Sequence, residues 1–187
     1  MLDAPTYLGF LAVAVVPPTL ALVALAVRSP PGTDRVAGVV LLTVVALAYT
    51  TPWDNALVDR GVWYYGDGTV LATVWHAPIG EYLFIGLQAV AVALWLYAVL
   101  DWAGATVPYR FGDVGTYERL GGALSGVAVG GVGVALLARQ STFYLGAILA
   151  WAGPVLALQW AVGWRHLLGR RRLLAVGVLV PTVYCWL

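Results

Sequence analysis

Two carboxylates flank a dense run of aromatic residues in the first half of the chain. Asp54 and Asn55 follow Pro52-Trp53, and Glu81 comes shortly after Pro78. A carboxyl group in low-dielectric surroundings favours its neutral form and can donate a proton to an apolar substrate. Aromatic faces stabilise the cation that results, and a second carboxylate can accept the proton released at the end. This combination predicts a cation-mediated rearrangement of an alkene.

Glu81 is the predicted proton donor, Asp54 its partner, and Asn55 the third catalytic candidate. The predicted substrate-binding rings are Trp53, Trp63, Tyr64, Tyr65, Trp75, Tyr82 and Phe84.

A structural explanation of the same residues is also available. Trp and Tyr collect at membrane interfaces because their rings are amphipathic. A carboxylate in the first turn of a helix is favoured by the helix dipole, and Asp54 and Asn55 are also typical cap and turn residues. His76 is an alternative acid or ligand. The sequence predicts no metal site, since His76 and His166 fall on opposite sides of the predicted bundle and carboxylate partners are sparse.

The composition indicates the environment of these residues. The chain has 187 residues, of which 61% are hydrophobic and only 10% charged. Soluble domains carry about 25% charged residues, so lipid is the natural solvent for this surface. The net charge of +1 gives no field for nucleic acid, and no nucleic-acid partner is expected. We predict a single all-α integral membrane domain over residues 1–187.

Six apolar runs are long enough, or nearly long enough, to cross a bilayer. The second becomes long enough only if it continues toward Trp53, and a polar aromatic loop is predicted over residues 52–77. The runs are residues 5–27, 36–51, 78–100, 120–138, 143–164 and 173–187.

The distribution of arginine predicts the orientation of the bundle in the cell membrane. Eight arginines fall in the first, third and fifth connections, and only Arg60 and Arg139 fall on the other side. Basic loops favour the cytoplasm, so the N-terminus and loop 52–77 are predicted outside. The eight are Arg28, Arg35, Arg110, Arg119, Arg165, Arg170, Arg171 and Arg172.

The chain also repeats itself weakly at an offset of about 137 residues. Tyr7-Leu8-Gly9 matches Tyr144-Leu145-Gly146, and Pro17 matches Pro154. We predict parallel three-helix repeats: a first repeat at 5–101, a spacer helix at 117–138 and a partial second repeat at 141–187. The second repeat would be truncated after Leu187, or completed by a second unit or a homo-oligomer.

Three glycines, Gly122, Gly126 and Gly130, lie on one face of the spacer helix. Small residues at this spacing let helix backbones approach closely, so tight packing within the bundle is predicted, with homodimerisation as the alternative.

The motifs Pro52-Trp53-Asp54-Asn55 and Pro78-Ile79-Gly80-Glu81, with Gly61-Val62-Trp63-Tyr64-Tyr65 between them, resemble the membrane-integral lycopene cyclase domain of archaea, some bacteria and fungi. The resemblance covers the first repeat and extends into the second through Trp151-Ala152-Gly153-Pro154. It implies a lycopene β-cyclase of carotenoid biosynthesis, acting on lycopene or a related linear carotene without net redox change. The Pro-x-Glu-Glu motif of that family maps onto residues 78–81, with Gly80 in place of the first glutamate.

Two alternatives accompany this reading: a half-cyclase or carotenoid-binding subunit that needs a partner chain, and a carotenoid hydratase. No cofactor is predicted and no flavin motif is seen, and a requirement for reduced flavin stays open.

Overall fold

The computed structural model describes residues 6–28, 32–104 and 114–186, without the side chain of His166. Arg110, the turn at 29–31 and the predicted ends at Pro5 and Leu187 lie outside the described residues. The helices are α1 at Tyr7–Arg28, α2 at Thr33–Asp59, α3 at Ile79–Trp102, α4 at Thr116–Leu136, α5 at Phe143–Gly169 and α6 at Arg171–Tyr184. A short 3₁₀ turn at Gln140–Thr142 precedes α5.

Within the described part of the chain, five helices are long and apolar enough to cross a membrane. They are α1 to α4 and the stretch Gln140–Arg165, which contains most of α5. The sixth apolar run forms α6, which has 14 residues. The protein is therefore an all-α, multi-pass membrane protein, as predicted.

The end of α2 corrects the predicted loop 52–77, because residues 52–59 are helical. Pro52 removes one backbone hydrogen bond, and membrane helices tolerate that loss. The helix ends at Asp59, and Gly61, which has a φ of 64°, lies just beyond its C-cap residue Arg60. The Gly61 N–H donates to Val58 O and the Val62 N–H donates to Leu57 O, which is the Schellman arrangement. Asp54 and Asn55 are thus helical residues and do not form a cap or a turn.

The remaining loop carries a small β-hairpin. Strand β1 at Thr73–Val74 pairs antiparallel with β2 at Ala77–Pro78, with Thr73 opposite Pro78 and Val74 opposite Ala77. Trp75 in the two-residue turn has a φ of 56°, a conformation that non-glycine residues rarely adopt. The Ile79 N–H donates to Ala72 O at 2.9 Å, so the hairpin leads directly into α3.

Helix α1 contains a π-helical turn at Leu11–Val15. The following residues, Pro17 and Pro18, have no N–H to offer the carbonyls one turn earlier. Thr19 Oγ1 donates to Val15 O at 2.7 Å, and Tyr184 Oη donates to Ala14 O at 2.6 Å. Side chains thus bond carbonyls of the π turn.

The chain divides into two compact units, Met1–Ala105 with Val180–Leu187, and Thr106–Leu179. The first contains α1, α2, α3 and the hairpin. In the second, α4 and α5 pack backbone against backbone. A Cβ added at Gly126 would collide with the Ala157 backbone, and one at Gly122 would lie 2.5 Å from Trp160 O. Gly130 faces Gly153. The packing predicted for the glycine face is confirmed, while the three-helix repeat stays a prediction.

Candidate active site

The two predicted carboxylates lie in one site of the first unit. Asp54 is on the last two turns of α2 and is only 3% exposed. Glu81 is half-buried in the first turn of α3, where sequence analysis placed it. The two carboxyl groups are near enough to interact electrostatically. Their shared catalytic role stays a prediction.

Two phenols converge on Glu81. Tyr65 Oη donates to Glu81 Oε1 at 2.6 Å. Tyr7, at the start of α1, also interacts with the Glu81 carboxyl group. The two tyrosine rings lie 6.0 Å apart and are tilted by 53°. Burial raises the pKa of Tyr65 well above its usual range, and the hydrogen bond to Glu81 adds to this effect. Tyr65 therefore remains a neutral hydrogen-bond donor.

Tyr7 is a site residue that the predicted set lacked. The ring of Tyr7 occupies the space beside Gly80, and a Cβ at Gly80 would collide with it. The Tyr7 N–H donates to Thr69 O at 2.9 Å, which fixes the start of α1 against the loop. The only sequence signal for Tyr7 was the repeated Tyr-Leu-Gly motif, which did not indicate contact with Glu81.

Asn55 holds the hairpin in place. Its side chain is 4% exposed, and Oδ1 accepts the N–H groups of His76 at 2.9 Å and Ala77 at 3.0 Å. Its Nδ2 donates to Thr51 O at 2.9 Å and to Tyr82 Oη at 3.1 Å. The Asn55 amide group therefore holds the hairpin turn and α3 in position.

Tyr82 continues this network to the first strand, since its hydroxyl donates to Val74 O at 2.7 Å. Asn55 and Tyr82 together join α2, the hairpin and α3, and thereby set the distance between Asp54 and Glu81. His76 Nδ1 lies 3.4 Å from Asp59 Oδ1 on the exposed side of the turn. His76 is therefore placed as an ion-pair partner of Asp59 when it is protonated.

The other predicted rings lie at different places. Trp53 and Trp63 meet edge to face, with ring centroids 5.2 Å apart. Tyr64 is 89% exposed and Trp75 is 71% exposed. Phe84 lies one turn below Glu81 on α3 and lines an apolar groove. The predicted ring set is therefore distributed over the loop and the groove and does not form one closed box.

The predicted absence of a metal site stays a prediction. In the described part of the chain, no group of three or more His, Cys, Asp or Glu side chains is placed to hold a metal ion.

Comparison with known proteins identifies close relatives. The chain is similar to the lycopene beta-cyclase of Halobacterium salinarum, with 51% identity over 182 residues that cover 96% of this chain and 74% of that protein. It also resembles the bifunctional lycopene cyclase/phytoene synthases of Aspergillus oryzae and Sporisorium reilianum. The Aspergillus protein is 30% identical over 78% of this chain and 25% of its own length. The Sporisorium protein is 31% identical over 82% of this chain and 23% of its own length. No family model and no solved structure matches. By its similarity to the archaeal enzyme over nearly its whole length, the chain belongs to the lycopene β-cyclase family.

Proposed function

We propose that this protein is a lycopene β-cyclase that converts the linear end group of lycopene into a β-ring. The observation that carries the proposal is the buried Asp54 beside Glu81, in a chain half identical to an archaeal enzyme of that name. An acid-initiated cyclisation needs a protonated carboxyl group, a base and an apolar site. Glu81, Asp54 and the apolar groove along α3 are our candidates for these three parts.

The reaction begins when a carboxyl group protonates the terminal double bond of the end group and leaves a tertiary carbocation. The neighbouring internal double bond attacks this cation, which closes the six-membered ring and moves the positive charge onto the ring. Loss of a ring proton to a carboxylate then gives the β-ring. Substrate and product are isomers, so the steps balance without an oxidant or a reductant.

We assign the first proton to Glu81 and its final capture to Asp54. Glu81 lies in the first turn of α3, one turn from Phe84, which lines an apolar groove. Tyr65 orients the Glu81 carboxyl through its hydroxyl group, and Tyr7 packs beside it. We assign Asn55 and Tyr82 to positioning, since their polar atoms bond the turn, α2 and each other. We assign stabilisation of the cation to the edge-to-face pair of Trp53 on α2 and Trp63 in the loop.

The test is expression of the chain in a bacterial host that accumulates lycopene, followed by pigment analysis. We expect a product of unchanged mass with β-rings, and a loss of turnover of about 10²- to 10⁴-fold in Glu81→Gln, the usual contribution of a general acid. Asp67→Asn is the matched control because Asp67 is an exposed turn carboxylate. Equal turnover by Glu81→Gln and wild type would show that another group is the acid.

The same assay separates the alternatives. A product heavier by one water would indicate a hydratase. Unchanged lycopene that co-purifies and cyclises only when a second cyclase unit is added would indicate a half-cyclase subunit. Parallel assays with and without reduced flavin decide whether a flavin is needed.

We also propose that the N-terminus and the hairpin face the outside of the cell membrane. The arginine distribution supports this orientation, including Arg35 at the start of α2 and Arg165 near the end of α5. Single cysteines at Asp67 and at Arg170, in a Cys185→Ser background, would be labelled from opposite sides by a membrane-impermeant thiol reagent. We expect the Asp67 position to react in intact cells. Labelling of the Arg170 position alone would show that the N-terminus and the hairpin face the cytoplasm.

A further inference from the structure

An apolar groove runs along α3 in the first unit. It has a volume of about 370 Å³ and lies between α1, α3 and the end of α6. Its walls include Val15, Leu22, Phe84, Val92, Trp95 and Pro181. Such a lining offers dispersion contacts and hydrophobic burial, and it suits a hydrocarbon ligand.

Glu81 lies on the same face of α3 as several residues that line the groove. Glu81, Phe84, Gln88 and Trp95 follow the i, i+3, i+7 and i+14 spacing, so they form one stripe along the helix. Phe84 is one turn from Glu81, and Trp95 lies about 17 Å beyond Phe84 along the helix axis. A chain lying in the groove would therefore present its end to the Glu81 carboxyl.

The opposite wall is built around the π turn of α1. Ala14 and Val15 of this turn line the groove together with Pro18. The hydrogen bond from Tyr184 to Ala14 O brings the end of α6 across the groove, where Tyr184 also lines it. Single-turn π-helical segments occur frequently at functional sites.

Phe84 and Trp95 make two parts of the groove wall aromatic. A flat conjugated chain can lie against aromatic faces along its length, and these contacts add to hydrophobic burial.

We propose that this groove binds the conjugated polyene chain of the carotene, with the reacting end group at Glu81. The inference rests on the proposed function, since it supplies the binding site for that substrate. It assigns substrate contacts to Trp95, Leu22 and Pro181, which lie outside the cyclising site.

The test is to fill part of the groove with a larger side chain and to measure how much lycopene the protein still binds. Ala21 on α1 lines the groove, whereas Ala24 on the same helix is exposed and is not part of its lining. Ala21→Phe and the matched control Ala24→Phe are prepared in the Glu81→Gln background, so that bound lycopene is not converted. Bound lycopene is quantified by its absorption after purification. We expect about tenfold weaker binding in Ala21→Phe, equivalent to losing contact with about two methylene groups, and no change in Ala24→Phe.

A second variant keeps the test decisive if Ala21→Phe folds poorly. Trp95→Phe replaces the indole by a smaller ring and keeps the wall aromatic, and we expect a two- to fivefold loss of lycopene binding because contact area is lost. Unchanged lycopene binding in folded Ala21→Phe and in Trp95→Phe would overturn the proposal. The same holds if these variants lose co-purified phospholipid and retain lycopene. If Ala21→Phe lowers lycopene binding while the protein with Glu81 intact forms no β-ring, the groove is supported and the cyclase function is rejected.

Discussion

Removing the amide of Asn55 separates a positioning role from a catalytic one. In Asn55→Ala, the N–H groups of His76 and Ala77 lose their common acceptor. The Ala77 N–H is buried and the His76 N–H is part-buried, so we take the full cost for Ala77 and a partial cost for His76. With about 1–3 kcal/mol for each unsatisfied buried group, the expected loss of stability is about 3 kcal/mol.

Thermal unfolding followed by tryptophan fluorescence in detergent measures this loss. For a chain of this size, about 3 kcal/mol corresponds to a Tm lower by about 6–12 °C. Gln140→Ala is the control because Gln140 is exposed. Asn55→Asp keeps the acceptor and removes the donors to Thr51 O and Tyr82 Oη, so it should lose less stability than Asn55→Ala. If Asn55→Ala unfolds at the wild-type temperature and still loses turnover, Asn55 acts on the substrate and our reasoning is wrong.

Three further predictions concern close contacts in both units. Tyr65→Phe should lower turnover by about tenfold because the proposed acid loses a hydrogen bond. The ratio of its turnover to that of wild type should stay constant up to about pH 10, because burial raises the pKa of Tyr65, and a ratio that changes near pH 10 would contradict this. Gly80→Ala should lower both turnover and Tm because its Cβ meets the Tyr7 ring. In the double variant with Tyr7→Ala, the loss of Tm should be smaller than the sum of the two single losses, and additive losses would exclude this contact. Gly126→Ala should destabilise the protein by about 1–3 kcal/mol because the added methyl group overpacks the contact with α5. Gly131→Ala, in open space on the same helix, should raise stability by about 0.5–1 kcal/mol. Equal changes of Tm in the two variants would refute the packing explanation.

Hydropathy was sufficient to predict the main helices, because a spanning helix is specified by a long apolar run. The error at α2 arose from treating Pro52 as the end of the helix. The actual stop signal was Gly61, whose positive φ permits the Schellman bonds. Carrying the helix past Pro52 places Asp54 and Asn55 on a rigid element, where their geometry is fixed more closely than in a loop.

The sequence was sufficient to propose a site but does not test it. Glu81 was predicted as the acid because it lies in the first turn of the apolar helix that follows Pro78, and its proximity to Asp54 was predicted from two helices that emerge on the same face. Tyr7 was missed because it is far from Glu81 in sequence, and no local pattern specifies that contact. The fourfold bonding of Asn55 likewise depends on a hairpin turn that composition alone does not predict.

The absence of a carboxylate at position 80 is related to the position of Tyr7. The family resemblance would place a glutamate there, beside the glutamate that aligns with Glu81. In this chain Gly80 leaves room for the Tyr7 ring, and any larger side chain would displace that ring. The Tyr7 ring lies near Glu81, which accepts a hydrogen bond from Tyr65. A second carboxylate at position 80 would add negative charge near Asp54, whereas a neutral phenol adds none. Gly80 therefore makes room for Tyr7, and the proton transfer that we propose between Glu81 and Asp54 needs no carboxylate at position 80.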